Sequence, residues 1–170
     1  MTETEMRELA GGLSIRPAVA ADTPLILQFI RDLSVYERME DEVEADEELL
    51  RRSLFGERPA AEVLIAELDG RPAGFALFFH NFSTFVGRPG LYLEDLFVAP
   101  ELRGRGIGRR LLARLAAIAV ERGCGRFEWS VLDWNEPAIR FYVGLGARPM
   151  DGWTVYRMTG EALERLAREG

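Results

Sequence analysis

Two hydrophobic rhythms alternate along the chain. Leu25, Ile26, Phe29, Ile30 and Leu33 recur at the three- and four-residue spacing that lines one face of a helix, and Ala20-Ala21-Asp22 offers an N-cap ahead of them. The spacing predicts a helix ending near Tyr36, behind a short strand over 13–17. A second helix is expected over 46–55, capped by Asp46 and stopped by Gly56, with Leu49, Leu50 and Leu54 on one side. Strand-like apolar runs follow over 61–68 and 72–80, joined through Asp69-Gly70, the pair that a tight hairpin turn prefers. A polar, glycine-bearing loop is expected over 81–90 and a strand over 91–98. From Ile107, the positions Leu111, Leu112, Leu115, Ile118 and Ala119 form the buried stripe of a helix that ends at Gly123. Beyond it the pattern predicts a strand over 126–131, a short helix over 137–143 with Pro137 in its first turn, a strand over 153–159 and a terminal helix over 161–168. Strands interleaved with helices in this order predict an α/β fold with a mixed sheet, its central pair linked by the helix after the glycine loop.

Composition narrows the class. The 170 residues suit one domain over 13–170 behind a loose tail over 1–12, and nearly half of them are hydrophobic. No apolar run approaches the roughly 20 residues that span a bilayer, so no membrane partner is expected. The acidic, polar start lacks the features of a secretory signal, and a cytoplasmic protein is the expectation. With Cys124 and His80 each the sole residue of its type, neither an intramolecular disulfide nor a usual Cys/His metal site can be assembled. Both read as structural residues.

The net charge of −7 is concentrated. Eight acids between Glu37 and Glu48 face only Arg38, and the rest of the chain balances 20 acids with 20 bases. Such a run reads as a solvated segment or as a cation-attracting lip. It disfavours nucleic acid, which wants clustered positive charge. All 21 basic residues are arginine, a feature that coding bias explains.

The chemistry sits in the middle of the chain. Leu93-Glu94-Asp95-Leu96-Phe97-Val98 leads into Arg103-Gly104-Arg105-Gly106-Ile107-Gly108 and then into the amphipathic run. Strand, glycine loop and helix together seat a phosphate, because glycines let the backbone approach an anion and the helix start supplies unpaired N–H groups. A nucleoside-triphosphate loop needs lysine, and the chain has none. The dinucleotide fingerprint has a different glycine spacing and belongs early in a chain.

The R-x-x-G-x-G spacing, the strand before it and Asn135-Glu136-Pro137-Ala138-Ile139-Arg140-Phe141-Tyr142 after it resemble the GCN5-related N-acetyltransferase (GNAT) family. Further matches run from Ile15-Arg16-Pro17-Ala18 through Tyr36-Glu37, Phe55-Gly56-Glu57, Gly74-Phe75-Ala76 and Leu91-Tyr92-Leu93-Glu94-Asp95 to Gly152-Trp153. Together they are similar to the diamine and polyamine branch, which includes spermidine/spermine and thialysine N-acetyltransferases. The resemblance implies a mostly antiparallel central sheet flanked by helices, with the glycine-loop helix after the fourth strand. It implies acetyl-CoA as co-substrate, no metal, a small amine as substrate and a homodimer.

By the same resemblance, the backbone of Leu96, Phe97 and Val98 pairs with the pantetheine arm. Amides from Gly104 through Arg105, Gly106, Ile107 and Gly108 to Arg109 wrap the pyrophosphate, with charge from Arg103 and its neighbours. Asn135, Pro137, Ala138 and Tyr142 complete the cofactor side. An alkylammonium must lose a proton before it can attack a thioester, and the departing thiolate needs a donor. The resemblance gives the first task to Glu94, through water, and the second to Tyr142. Glu94 and Asp95 occupy adjacent strand positions and therefore face opposite ways unless a bulge intervenes. Tyr36, Glu37, Glu94, Asp95, Trp129 and Asp151 are the candidate amine-binding residues, with Trp153 or Phe85 as further walls. Two features depart from the vertebrate polyamine enzymes: the segment over 147–152 is shorter, and Phe85 stands where those enzymes carry tryptophan. Transfer to a protein or aminoglycoside amine, or a non-catalytic acyl-CoA-binding module, are the competing readings.

Overall fold

Five strands lie side by side in chain order in the computed structural model, which describes residues 12–170. β1 (Leu13–Pro17), β2 (Glu62–Leu68), β3 (Arg71–Ser83) and β4 (Arg88–Val98) pair antiparallel, and β5 (Arg126–Trp129) joins β4 in parallel. The parallel step requires a crossover, and α3 (Ile107–Glu121) supplies it. α1 (Thr23–Glu37) and α2 (Glu47–Phe55) lie between β1 and β2 in the chain. The expected α/β class, the mostly antiparallel sheet and the helix after the fourth strand are all present. These elements form one compact unit ending at Ser130; 131–170 forms a second, holding α4 (Glu136–Gly144) and α5 (Gly160–Ala167).

The core of the first unit follows from the two rhythms. Ile26, Phe29 and Leu33 from α1 meet Leu54, Val63, Ile65, Phe75 and Phe97, and the Phe29 ring stacks on Phe75 at 5.3 Å. On β2 the alternate residues Leu64 and Ala66 are buried too, so that strand is covered on both faces. α3 packs on β2, β3 and β4 and buries Ile107, Leu111, Leu112, Leu115, Ile118 and Ala119. Each fully buried large side chain in such a core is worth about 1.5–3 kcal/mol.

Most turn chemistry behaves as the residues dictate. Asp69 and Gly70 both take positive φ (52° and 73°), the conformation of a tight hairpin turn. Asp46 caps α2 by accepting from the Leu49 N–H at 2.8 Å, and Gly56 ends it. Asp22 behaves differently. It stands before α1, but its side chain makes no cap bond to that helix; it accepts from Val19 N and pairs with Arg16 at 2.7 Å. Arg16 also grips Glu67, so β1, β2 and the entrance of α1 are tied by one guanidinium. Hydrogen bonding to Arg16 holds the Asp22 carboxyl below its ordinary range.

Two expected elements are corrected. The 81–90 loop is mostly strand: Asn81, Phe82 and Ser83 pair with Gly90, Pro89 and Arg88, leaving a tight turn in which Ser83 O accepts from Gly87 N. Polar residues and glycines suggested a loop, but cross-strand backbone pairing prevails over composition here. The strand expected over 153–159 is not formed. That run has aromatic and β-branched residues suited to a strand, but a strand also needs a neighbouring ladder, which residue pattern alone cannot supply. The tail expected over 1–12 lies outside the described residues apart from Gly12, whose carbonyl accepts from Asp69 N.

Candidate active site

The β4–β5 ladder stops where β5 ends. It spans only Gly90–Leu93 against 126–129, whereas β4 continues through Glu94 to Val98 in strand pairing with β3. Strand addition by an extended, amide-bearing chain needs a strand segment of this kind, with one side left without a ladder. Trp129 pairs with Leu93 at the last shared position, its ring edge-on to Phe127 at 5.0 Å.

Beyond Val98 the chain makes a 3-10 turn over Pro100–Leu102 and enters the glycine loop. Gly104 and Gly106 adopt φ of 77° and 78°, a left-handed conformation costly for other residues, and an added Cβ at Gly104 would meet nothing. Backbone conformation, not space, calls for glycine there. Gly106 is the N-cap of α3, and Arg110 N makes the bond back to Gly106 O. The first-turn amides of Ile107, Gly108 and Arg109 precede that bond and face the helix's positive end. Ile107 is 2% exposed and anchors this turn in the core. An open strand edge running into a cradle of N–H groups fits a cofactor with an amide-bearing arm and a pyrophosphate.

The arginines of the loop divide. Arg103, Arg105 and Arg109 are all exposed, and it is their contacts that differ. Arg103 turns back: its Nε donates to Val98 O at 3.0 Å, and its guanidinium lies 4.6 Å from the Tyr36 ring centre and 5.5 Å from that of Phe97. Arg110 lines a separate depression of about 330 Å³ with Leu13, Ile15, Ala113 and Arg114.

The carboxylates gather where β4 bulges. Leu77 pairs with Asp95 and Phe78 with Leu93, so Glu94 is the extra residue of a β-bulge. The bulge reverses the facing of everything after it. Phe97, paired with Phe75, joins the α1 side of the sheet, and Asp95, two residues earlier, shares that side. The opposite-face expectation for Glu94 and Asp95 therefore gives way to its stated exception.

Burial raises the Asp95 carboxyl from 3.8 to about 6, helped by the charges of Glu94 and then of Glu37. Glu37 ends α1, half-buried, and burial raises its carboxyl too. The charges of Glu94 and Glu37 thus both act on Asp95. Among the described residues no group of three or more His, Cys, Asp or Glu is arranged to hold a metal ion. The sequence offered no sign of the bulge, because Leu91, Leu93 and Phe97 fall on alternate positions as an unbroken strand would also require. Nor did it reveal the Arg103–Tyr36 contact, which joins residues far apart in the chain.

The remaining candidates are distributed between the units. Phe85 stands 98% exposed at the β3–β4 turn, and so is not enclosed with the carboxylates. In the second unit, Asn135 caps α4 by accepting from Ala138 N at 3.4 Å, with Pro137 in the first turn. Tyr142 lies seven residues after Asn135, two helical turns along the same face, with its ring 5.5 Å from Phe141. Asp151 belongs to an exposed turn closed from Trp153 N to Met150 O.

Comparison with known proteins agrees with this construction. The Acetyltransferase (GNAT) family model matches residues 27–147. A thialysine N-epsilon-acetyltransferase from Sus scrofa is 42% identical over 164 residues, covering 90% of this chain and 96% of that protein. An L-ornithine N5-acetyltransferase from Arabidopsis thaliana is 32% identical, covering 89% and 86%. Among solved structures, an integron cassette protein from the mobile metagenome of V. cholerae aligns with a TM-score of 0.77 at 29% identity, covering 92% of this chain and 98% of that one. The fold, the glycine loop and these matches converge: the chain belongs to the GNAT acetyltransferase family and is an N-acetyltransferase.

Proposed function

We propose that this enzyme transfers the acetyl group of acetyl-CoA directly to a primary amine of a small cationic substrate: a diamine, a polyamine or a thialysine-like amino acid. The observation that carries the reading is the carboxylate group Glu37, Glu94 and Asp95 at the bulge that begins the open β4 edge. A cluster of negative charge raises the energy of its own ionisation, and a bound ammonium relieves it. The names of the relatives, enzymes of thialysine and ornithine, accord with such a substrate.

Acetyl-CoA supplies an activated thioester. The chain's task is to hold it, to neutralise the amine and to protonate the thiolate. Leu96, Phe97 and Val98 offer backbone pairing to the pantetheine arm, and the amides from Gly104 to Arg109 take the pyrophosphate. Asn135, Pro137, Ala138 and Tyr142 serve the cofactor from α4. An alkylammonium has a pKa of about 10.4, so its proton must be drawn off near neutrality. Glu94, the bulged residue, accepts that proton through water. Asp95 and Glu37 hold the ammonium, Tyr36 and Trp129 give it aromatic surface, and Asp151 adds a further carboxylate. Tyr142 donates its phenolic proton to the leaving sulfur. The 13–170 span works as one catalytic domain, in the cytoplasm and with no metal, readings that rest on length and composition, and as a homodimer, which rests on the resemblance.

Incubation with acetyl-CoA and single amines, with products identified by mass, tests this reading. Acetylated thialysine, ornithine, putrescine or spermidine is expected. Products formed only from peptides or aminoglycosides would replace it with one of the competing readings, and no product from any amine would favour an acyl-CoA-binding module.

A further inference from the structure

We infer that Arg103 is a positioning residue, a strut between Tyr36 on α1 and the Val98 carbonyl at the end of the open β4 edge, through which the amine side of the site sets cofactor affinity. The inference rests on the acetyl-CoA reading above. It assigns Arg103 a task other than the phosphate contact that its place in the glycine motif suggests.

The geometry is specific. Arg103 Nε is committed to Val98 O at 3.0 Å, which orients the last peptide of β4. The cationic carbon lies 4.6 Å from the Tyr36 ring centre and 5.5 Å from that of Phe97, within cation–π range of both. A planar guanidinium can stack on an aromatic face while donating from its edge, and an ammonium cannot reproduce that pair of contacts. Tyr36 precedes Glu37, which ends α1 and contributes to the field on Asp95. Arg103 itself precedes Gly104, the first left-handed residue of the loop. One side chain therefore joins α1, the β4 edge and the loop entrance. Arg105 and Arg109, exposed as Arg103 is, are left to supply positive charge beside the anion cradle.

A double-mutant cycle on CoA binding, read by titration calorimetry with thermal melts as a check on folding, tests the strut. Arg103→Leu and Tyr36→Leu should each raise the Kd of CoA about 5-fold, although Tyr36 lies on α1. The double variant should be weakened by little more than either alone, because both substitutions break one device. Tyr36→Phe keeps the ring and should recover most of the affinity that Tyr36→Leu loses. If Arg103→Leu fails to fold, Arg103→Gln replaces it in the cycle, since its amide can still donate to Val98 O but carries no cation. Multiplicative effects, about 25-fold in the double variant, would overturn the strut and leave the acetyl-CoA reading standing. So would a lowered melting temperature in Tyr36→Leu with unchanged CoA affinity. Failure of the unsubstituted protein to bind CoA would overturn both.

Discussion

Asp95 lies opposite Leu77 across β3 and β4, one position out of step with the Phe78–Leu93 pair. That single shift sets Glu94 out as a bulge and turns Asp95 toward the side of the sheet covered by α1, where Glu37 ends the helix. Burial and like charge then hold the Asp95 proton to about pH 6, the feature of the site most accessible to experiment.

Asp95 ionises near pH 6 in the folded chain against 3.8 as an ordinary carboxyl. Between those values the folded state keeps a proton that the unfolded state has released, so this residue's contribution to stability falls as pH rises from about 4 to above 6. Asp95→Asn cannot titrate. Its stability relative to the parent should therefore grow across that window by up to roughly 3 kcal/mol, measured by urea unfolding at successive pH values. A difference independent of pH would show that Asp95 is not held in this environment. Glu37, raised by burial, shifts in the same direction.

Glu94→Gln keeps size and polarity but cannot accept the substrate proton. Its kcat should fall about 100-fold near neutrality, and the loss should shrink as the pH approaches the amine's own pKa. Retention of the parent pH profile would remove Glu94 from the proton path.

Tyr142→Phe removes one oxygen from α4. A drop in kcat of about 100-fold, with CoA affinity by calorimetry unchanged, is expected of a residue that protonates the leaving sulfur. An unchanged kcat would leave Tyr142 as an aromatic neighbour of Phe141.

Gly106→Ala places a Cβ on a residue with φ of 78°. The left-handed conformation costs an L-residue about 1–2 kcal/mol, so melting temperature should fall and CoA binding should weaken about tenfold as the cradle relaxes. An alanine variant with parental CoA affinity would contradict the role given to the loop backbone.

Much of this site was legible in the residues. The stripe from Ile107 to Ala119, the Asp69-Gly70 turn and the Asp46 cap each depend on local chemistry, which sequence states directly. The glycine loop was legible for the same reason, since left-handed φ at Gly104 and Gly106 is what glycine is for. What escaped depends on partners distant in the chain. The bulge at Glu94 exists because β3 and β4 settle one residue out of register, the turn at Asp22 is claimed by Arg16, and the run over 153–159 finds no ladder. Arg103 reads as a phosphate residue from its place in the glycine motif; its contact with Tyr36 arises only when α1 packs on the sheet.

The central claim is that a small cationic amine is the acetyl acceptor. Its most direct test is the steady-state kcat/KM for thialysine, ornithine, putrescine and spermidine, followed by thiol release from acetyl-CoA, beside a neutral primary amine of matched length. At least one of the cationic amines should exceed the neutral one by about 100-fold or more, and that preference should collapse in a Glu37→Gln, Asp95→Asn double variant. Equal turnover of cationic and neutral amines, or a preference untouched by loss of both carboxylates, would contradict it.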